Sequence, residues 1–205
     1  MDKLQFDQTK TQLRIFGNAL SVRLSMIFNS ISGGLTTTNK NSDWTPKEIL
    51  YHIYLVNQYF IIKIDRFNDL LHEGLVNEES EHSESDLNLV ETILNVSVFK
   101  IQSLPEFKTP ISFSFEELEL KLAVQVQILN KLINKSPSAY ANNFTSEMKV
   151  IPGIKLDVYQ MIYFVMKHAY HHLNQVNTLE SIKTSLNSKI ISNKEKRYVL
   201  ISVGL

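Results

Sequence analysis

The chain has 205 residues, of which 43% are hydrophobic and 20% are charged, with 6 Gly and 5 Pro. These values predict one folded domain over residues 1–205 and exclude a disordered or collagen-like chain. Lys plus Arg and Asp plus Glu are equal at 21 each, so we expect no nucleic-acid partner. Cysteine is absent, which excludes disulfides, thiolate metal sites and cysteine nucleophiles.

The first predicted element is a helix from about Leu4 to Ile31, ended by Ser32-Gly33-Gly34. Its apolar residues recur at three- and four-residue steps: Leu13, Phe16, Leu20, Leu24, Ile27 and Phe28. The first ten residues lack the apolar segment of a signal peptide, and no run reaches the roughly 20 apolar residues of a membrane span. The sequence therefore predicts a cytoplasmic protein with no membrane partner.

The second helix has the clearest start signal in the chain. Thr45 suits the N-cap, Pro46 the first helical position, and Glu48 closes a capping box with Thr45. Trp44, directly before the cap, is interpreted as a hydrophobic staple. The helix runs to about Leu71, and one face of it is apolar: Ile49, Ile53, Val56, Phe60, Ile64, Phe67 and Leu71.

An acidic connector, Glu73 to Asp86, separates this helix from a less regular region. Residues 87–104 are moderately apolar and fit either a helix or an irregular segment, and two prolines follow at positions 105 and 110. Ser114 and Glu117 then form a second capping box. The helix that they open runs through Ile133 and ends before Pro137.

The last predicted helix spans about Leu156 to Leu186 and follows a loop that contains Pro152-Gly153. The tail, residues 189–205, fits a strand, a short helix or an extended arm, and the sequence does not choose among them. Four long amphipathic helices joined by loops predict an all-α protein with the architecture of a four-helix bundle.

Three of the six histidines lie close together on the last helix. His168 and His172 are four residues apart, so they project from consecutive turns on one face and can reach one metal ion. His171 lies roughly 60–100° away and is interpreted as a supporting or surface residue. Five apolar residues lie within roughly 60° of the line through the pair: Met161, Phe164, Val165, Val176 and Leu179.

A third ligand is available from the second helix in His52, at the rim of its apolar face, roughly 70° from the centre. His52 lies early in its helix and His172 late in its own, so the two helices must be antiparallel for these residues to meet. Three neutral imidazoles leave at least one coordination position for water or substrate, which is typical of a catalytic site. Nitrogen ligands suit Zn, Ni, Cu or Fe.

Metal-bound histidines usually donate their other N–H to an acceptor, and Glu48, Asn174 and Gln175 are the candidates. Each assignment has a simpler alternative. The histidine pair fits packed core residues as well as ligands, His52 alone is more often a hydrogen-bonded core residue, and Glu48 is more often only the capping partner of Thr45. Four other residues of the last helix are interpreted as packing residues or as a subunit contact: Tyr159, Tyr163, Met166 and Tyr170. His72 and His82 flank the acidic connector and are interpreted as solvated residues.

Two segments, residues 44–52 and 168–175, resemble the DinB/YfiT-like family of metal-dependent enzymes. The first matches Trp-Ser/Thr-Pro-x-Glu-x-x-x-His and the second matches His-x-x-His-His-x-x-Gln. The resemblance implies a DinB-like antiparallel four-helix bundle with extra short segments and a C-terminal tail. It also implies a homodimer in which His52, His168 and His172 bind a divalent metal, commonly nickel or zinc. Relatives include transferases and isomerases that use low-molecular-weight thiols.

Two classes of function follow from these residues. The first is a metal-dependent enzyme, either a hydrolase or a thiol-dependent transferase, that acts on a small molecule, with Glu48 as the available base. The second is a non-enzymatic helical module that binds a small ligand or dimerises and retains a vestigial metal site.

Overall fold

The computed structural model of the chain describes residues 3–32, 44–73, 85–95, 112–136, 145–148 and 153–176. Apart from one two-stranded hairpin, the elements in these ranges are helices, so the predicted all-α class is confirmed. The predicted tail, residues 189–205, lies outside the described residues. In chain order, the elements are α1 (Lys3–Ser32), α2 (Pro46–His72), α3 (Leu87–Leu94), α4 (Phe115–Lys135), β1 (Ser146–Glu147), β2 (Lys155–Leu156) and α5 (158–176).

Both predicted capping boxes are present. The Thr45 N–H donates to Glu48 Oε2 at 2.6 Å, and the Glu48 N–H donates to Thr45 Oγ1 at 3.2 Å. The corresponding distances for Ser114 and Glu117 are 2.6 Å and 3.1 Å. Because each box satisfies two backbone donors that a helix leaves unpaired at its first turn, these short motifs fix where α2 and α4 begin.

The predicted start of the last helix at Leu156 is wrong by two residues, because Leu156 pairs with Ser146 in the antiparallel hairpin. A third capping box starts α5. The Asp157 N–H donates to Gln160 Oε1 at 2.9 Å, and the Gln160 N–H donates to Asp157 Oδ1 at 2.8 Å. The hairpin turn contains Gly153, whose φ of 83° favours a residue without a side chain.

The region that the sequence left open between helix and irregular structure is helical at its start. Asp86 caps α3 by accepting a hydrogen bond from the Asn88 N–H, and the helix buries Val90 and Ile93 completely. Gln160 Nε2 donates to the Asp86 carbonyl at 2.9 Å, which ties the start of α3 to the start of α5. Residues 96–111 of this predicted region lie outside the described residues.

The four long helices form a bundle in which α4 and α5 each pack against both α1 and α2. Contacts along each pair of helices show whether the two helices run in the same direction or in opposite directions. On α2, His52 meets His168 and Phe60 meets Phe164, so α2 and α5 are antiparallel. The pair α2 and α4 instead runs in the same direction: Gln125, in the middle of α4, donates to the Tyr54 carbonyl, and Lys135, at the end of α4, donates to Asp65, which lies further along α2. A long connection, residues 73–114, makes this parallel pairing possible.

The predicted apolar faces form the core. The apolar residues that recur along the sequence of α4 are at most 4% exposed: Leu118, Leu122, Val126, Leu129 and Ile133. Phe164 and Val165 of α5 are at most 2% exposed. Tyr159 and Met166 are fully buried, and Tyr163 and Tyr170 contact Phe16 of α1, so this stripe packs within the chain. Within the described ranges, no helix has the length and apolar character that crossing a membrane requires.

Candidate metal site

Three imidazole rings converge where the start of α2 meets the second half of α5. His168 Nε2 lies 3.3 Å from His52 Nε2 and 3.1 Å from His172 Nε2. One ligand atom of each ring lies within 4.8 Å of the others. The structure therefore brings together all three histidines that the sequence predicted as metal ligands.

The positions of the three rings follow from the helices that carry them. The four-residue spacing places His168 and His172 one turn apart, with ring centroids 4.4 Å apart. His52 lies in the second turn of α2, which the Thr45 capping box begins. Because α2 and α5 are antiparallel, the early position of His52 and the late position of His172 fall at the same depth of the bundle, as the prediction required.

The nitrogen spacing fits a single metal ion. Two nitrogen ligands at bond lengths of about 2.0–2.1 Å lie about 2.8–3.4 Å apart for bond angles between about 90° and 110°. The two observed Nε2 distances, 3.1 Å and 3.3 Å, lie inside that range. Among the described residues the cluster contains no carboxylate, so its ligand set is three neutral nitrogens, which suits zinc or nickel better than magnesium or calcium.

Gln175 fixes the proton on His172. Its Oε1 lies 2.8 Å from His172 Nδ1, so Nδ1–H donates to the amide oxygen and the lone pair of Nε2 faces the cluster. The same amide donates through Nε2 to His171 Nε2 at 3.2 Å. Gln175 is therefore the acceptor that the sequence proposed for a metal-bound histidine, and His171 supports Gln175 from the surface.

Burial keeps the imidazoles neutral. Desolvation lowers the pKa of His172 to about 4, and the neighbouring histidines add to this effect while Gln175 opposes it. Desolvation also places the pKa of His168 well below its usual value, with further contributions from the charges that His172 and His52 would carry. Both rings are thus neutral at pH 7, which is the form that binds metal ions.

Aromatic side chains surround the cluster. The Trp44 ring contacts His52 edge to face at 5.0 Å, and Phe164 stacks on His168 at 5.9 Å. His52 and His168 are 8% and 9% exposed. Trp44 therefore holds a site histidine in place, a contact that the sequence interpretation of Trp44 as a staple did not include.

The two other proposed supporting residues are engaged elsewhere. The Glu48 carboxylate accepts the Thr45 N–H, and this hydrogen bond lowers the pKa of Glu48, so the group is an ionised cap and a weak base. Asn174 Oδ1 accepts from Arg23 of α1 at 2.9 Å. Position 82 and the side chain of His72 lie outside the described residues.

Comparison with known proteins gives one match. The family model of the DinB superfamily matches residues 23–176, which is well over half of the chain and includes all three histidines of the cluster. No curated protein and no solved structure matches the chain.

Proposed function

The chain belongs to the DinB superfamily, and from this membership and the three converging imidazoles we propose that it is a metal-dependent enzyme acting on a small molecule. His52, His168 and His172 would hold one divalent cation, nickel or zinc. The observation that carries the proposal is the convergence of three imidazoles from two helices, in which His168 Nε2 lies 3.1 Å from His172 Nε2 and 3.3 Å from His52 Nε2. A bound cation of this kind supplies Lewis acidity to a water, a thiol or a carbonyl group.

The residues of the chain supply orientation and a dry environment. Gln175 holds His172 in the tautomer that presents Nε2, while Trp44 and Phe164 cover the rings of His52 and His168. Three protein ligands leave a coordination position for the reacting molecule. The low dielectric around these rings strengthens the electrostatic effect of any charge held there.

Between hydrolysis and thiol transfer, the absence of a carboxylate from the described cluster favours thiol transfer. Hydrolysis of a stable bond usually needs a positioned general base, and Glu48 is committed to the α2 cap. A free thiol has a pKa of about 8.5; a divalent cation held by the three histidines would lower that pKa, so that the thiol proton would pass to solvent water without such a base. We therefore propose a low-molecular-weight thiol as cosubstrate, in the cytoplasm, where thiols stay reduced.

Metal analysis of the protein purified without a polyhistidine tag tests the site. We expect about one nickel or zinc ion per chain. His52→Ala, His168→Ala and His172→Ala should each lose it, because two imidazoles do not hold such an ion tightly. His171→Ala is the matched control, since His171 is exposed and is not one of the three proposed ligands; its ring contacts His172 edge to face at 5.5 Å, and Gln175 donates to it.

A metal content that survives all three substitutions would contradict the proposed site. For the metal-loaded protein, pairs of a thiol with an electrophile should give thioether product, whereas esters and amides should stay intact. Metal binding without turnover of either substrate class would instead support the alternative function, a non-enzymatic helical module that binds a small ligand or dimerises.

We also propose that the protein is a homodimer that pairs through α1. The outer face of this helix exposes Ile15, Val22 and Met26 at 65%, 62% and 55%. On a helical wheel, residues 8–30 place no charged side chain within roughly 60° of that line. Two copies related by a twofold axis would bring this face against itself without placing like charges together.

A further inference from the structure

A cavity that is open to the surface lies between α1, α3 and α5, away from the histidine cluster. Its volume is about 340 Å³. Tyr163, which lines it, precedes His172 by nine residues and lies on the opposite face of α5, about 13–14 Å away along the helix axis. The cavity therefore cannot serve as part of the histidine site, and nothing in the proposed function uses it.

The walls combine apolar surface with polar groups. Ile15 and Phe16 of α1 and Leu87 of α3 give the apolar surface. The side-chain amides of Gln12 and Asn88 add hydrogen-bonding groups. A cavity of this size with an apolar body and a few polar groups has the usual composition of a small-molecule site.

Glu91 supplies the one charge among the described residues that line the cavity. Tyr163 donates its hydroxyl to Glu91 Oε1, and Lys167 Nζ contacts the same oxygen at 2.8 Å. Partial burial alone would raise the pKa of Glu91, but the hydrogen bonds from Lys167 and Tyr163 and the Lys167 charge outweigh it, so the pKa is lowered. The carboxylate is thus ionised and held in position at neutral pH.

The second oxygen of this carboxylate keeps its acceptor capacity. In the described part of the chain, both contacts to the Glu91 side chain end on Oε1, and none is made to Oε2. Lys167 does not line the cavity; its ammonium lies 5.4 Å from the Phe16 ring centroid and 5.6 Å from that of Tyr163. Glu91 is therefore the charged group of the cavity lining, while Lys167 offsets part of its charge from outside the cavity and already contacts the same two rings.

We propose that this cavity binds a small organic amine with an apolar or aromatic body. The ammonium group donates to Glu91 Oε2, and the body packs against Ile15, Phe16 and Leu87. One carboxylate is too few ligands for a divalent metal ion, which needs several oxygens, whereas it is sufficient for one ammonium group. The proposal does not depend on the histidine site.

Titration with 2-phenylethylamine, followed by NMR chemical shifts or calorimetry, tests the cavity. We expect saturable binding with a Kd on the order of 0.1–1 mM. Two further ligands separate the contributions: 2-phenylethanol has the body without the charge, and ethylamine has the charge without the body. Each should bind roughly tenfold more weakly than 2-phenylethylamine, because each lacks one of the two interactions.

Two variants test whether the amine binds at the Glu91 carboxylate. Glu91→Gln keeps the shape but removes the charge and should weaken binding roughly tenfold or more. Asn88→Lys places a tethered ammonium one turn from Glu91 and should compete to a similar extent. Thr92→Lys is the matched control, since it adds the same charge to an exposed position of α3 that does not line the cavity, and binding should stay within about twofold.

Circular dichroism confirms that each variant is folded before its binding is compared. Equal affinity of the wild-type protein for the amine and the alcohol would overturn the proposal, as would unchanged amine binding by Glu91→Gln. His52→Ala should leave amine binding unchanged. This last result separates failure of the amine site from failure of the proposed metal site.

Discussion

At the scale of single residues, one glutamine determines how the exposed end of the histidine cluster is arranged. Gln175 accepts the His172 Nδ1–H at 2.8 Å and donates to His171 at 3.2 Å. Without the amide, His172 would be free to rotate or to adopt the tautomer that places its proton on Nε2. The His172 side chain would then still be present, but its ring would no longer be held in the orientation that presents Nε2 to the cluster.

Gln175→Ala should therefore weaken metal binding by about 10- to 100-fold, the usual effect of removing the hydrogen-bond partner of a metal-bound histidine. Competition with a chelator measures the change. The single tryptophan, Trp44, lies 5.0 Å from His52 and reports nickel binding through its fluorescence. Asn174→Ala is the neighbouring control because the side-chain oxygen of Asn174 accepts a hydrogen bond from Arg23 of α1. Equal affinities of the two variants would refute a positioning role for Gln175.

A second residue-scale prediction concerns the buried cap of α5. Desolvation raises the pKa of Asp157 above the usual value of an aspartate, although hydrogen bonds from Gln160, Ser85 and Tyr159 act in the opposite direction. A raised pKa in the folded state means that the ionised carboxylate costs stability above that pKa. The cost decreases as the pH falls through the folded pKa and is absent below the unfolded value.

Asp157→Asn should thus be at least as stable as the wild-type protein at pH 7, because Asn accepts the Gln160 N–H without a buried charge. Its advantage should disappear as the pH approaches the unfolded value. Asp157→Ala removes the cap and should cost about 0.5–2 kcal/mol. Urea unfolding of the three proteins between pH 3.5 and 7 measures this. An Asn variant that is less stable than wild type at pH 7, with the difference narrowing toward acid, would show that the charge stabilises the cap.

At the scale of helices, Gly17 sets how closely α1 approaches α4. A Cβ atom at this position would lie 2.2 Å from Asn130 Oδ1 and 3.2 Å from Met166 Cε. Glycine within a helix costs about 1 kcal/mol relative to alanine. The close approach of α4 therefore explains why a poor helix former occupies the middle of α1.

Gly17→Ala should destabilise the protein by no more than about 1 kcal/mol, because the gain in helix propensity offsets most of the cost of moving the ends of the Asn130 and Met166 side chains. In an Asn130→Ala background the same substitution should be neutral or stabilising, since the main clash is gone. Chemical denaturation of the two single variants and the double variant measures the coupling. Additive changes would indicate that Asn130 moves aside at no cost and that Gly17 has another role.

At the scale of helices, the features that depend on a few neighbouring residues were predictable from the sequence, and those that depend on distant residues were not. The capping boxes at Thr45 and Ser114 were predictable because all their atoms lie within four residues. The Asp157 box has the equivalent spacing, Asp-x-x-Gln, but the predicted helix began at Leu156, which placed Asp157 inside the helix and not at its cap. The hairpin was not predicted because two-residue strands have no periodicity.

The metal site was only partly predictable for the same reason. The helical spacing alone pairs His168 with His172, but His52 joins them only if α2 and α5 are antiparallel and in the right register. The helical wheel offered His52 only at the rim of its apolar face, and the resemblance to the family then supported it as the third ligand. The pairing of Glu91 with Tyr163 had no sequence signal, because it joins residues 72 positions apart and one of them lies on a helix that the sequence left undecided.

At the scale of the whole molecule, the directions of the helices determine what each face contains. The antiparallel pair, α2 and α5, encloses the histidine cluster. On the other side of α5, the parallel pair α1 and α5 places Phe16 beside Tyr163 and Arg23 beside Asn174. The outer surface of α1 remains uncovered in the described part of the chain, and it is the surface proposed for dimerisation.

Oligomeric state tests this surface. We expect the wild-type protein to be a dimer in light scattering after size-exclusion chromatography, and Val22→Glu to be a monomer, because a twofold interface would bury two copies of the new charge. Leu120→Glu is the matched control: Leu120 is 66% exposed, on α4, compared with 62% for Val22. A dimer that survives Val22→Glu but is lost in Leu120→Glu would show that the interface lies on α4. A monomeric wild-type protein would contradict the proposed dimer. Since both positions are exposed, the two variants should keep the fold, so a change in mass reports association and not unfolding.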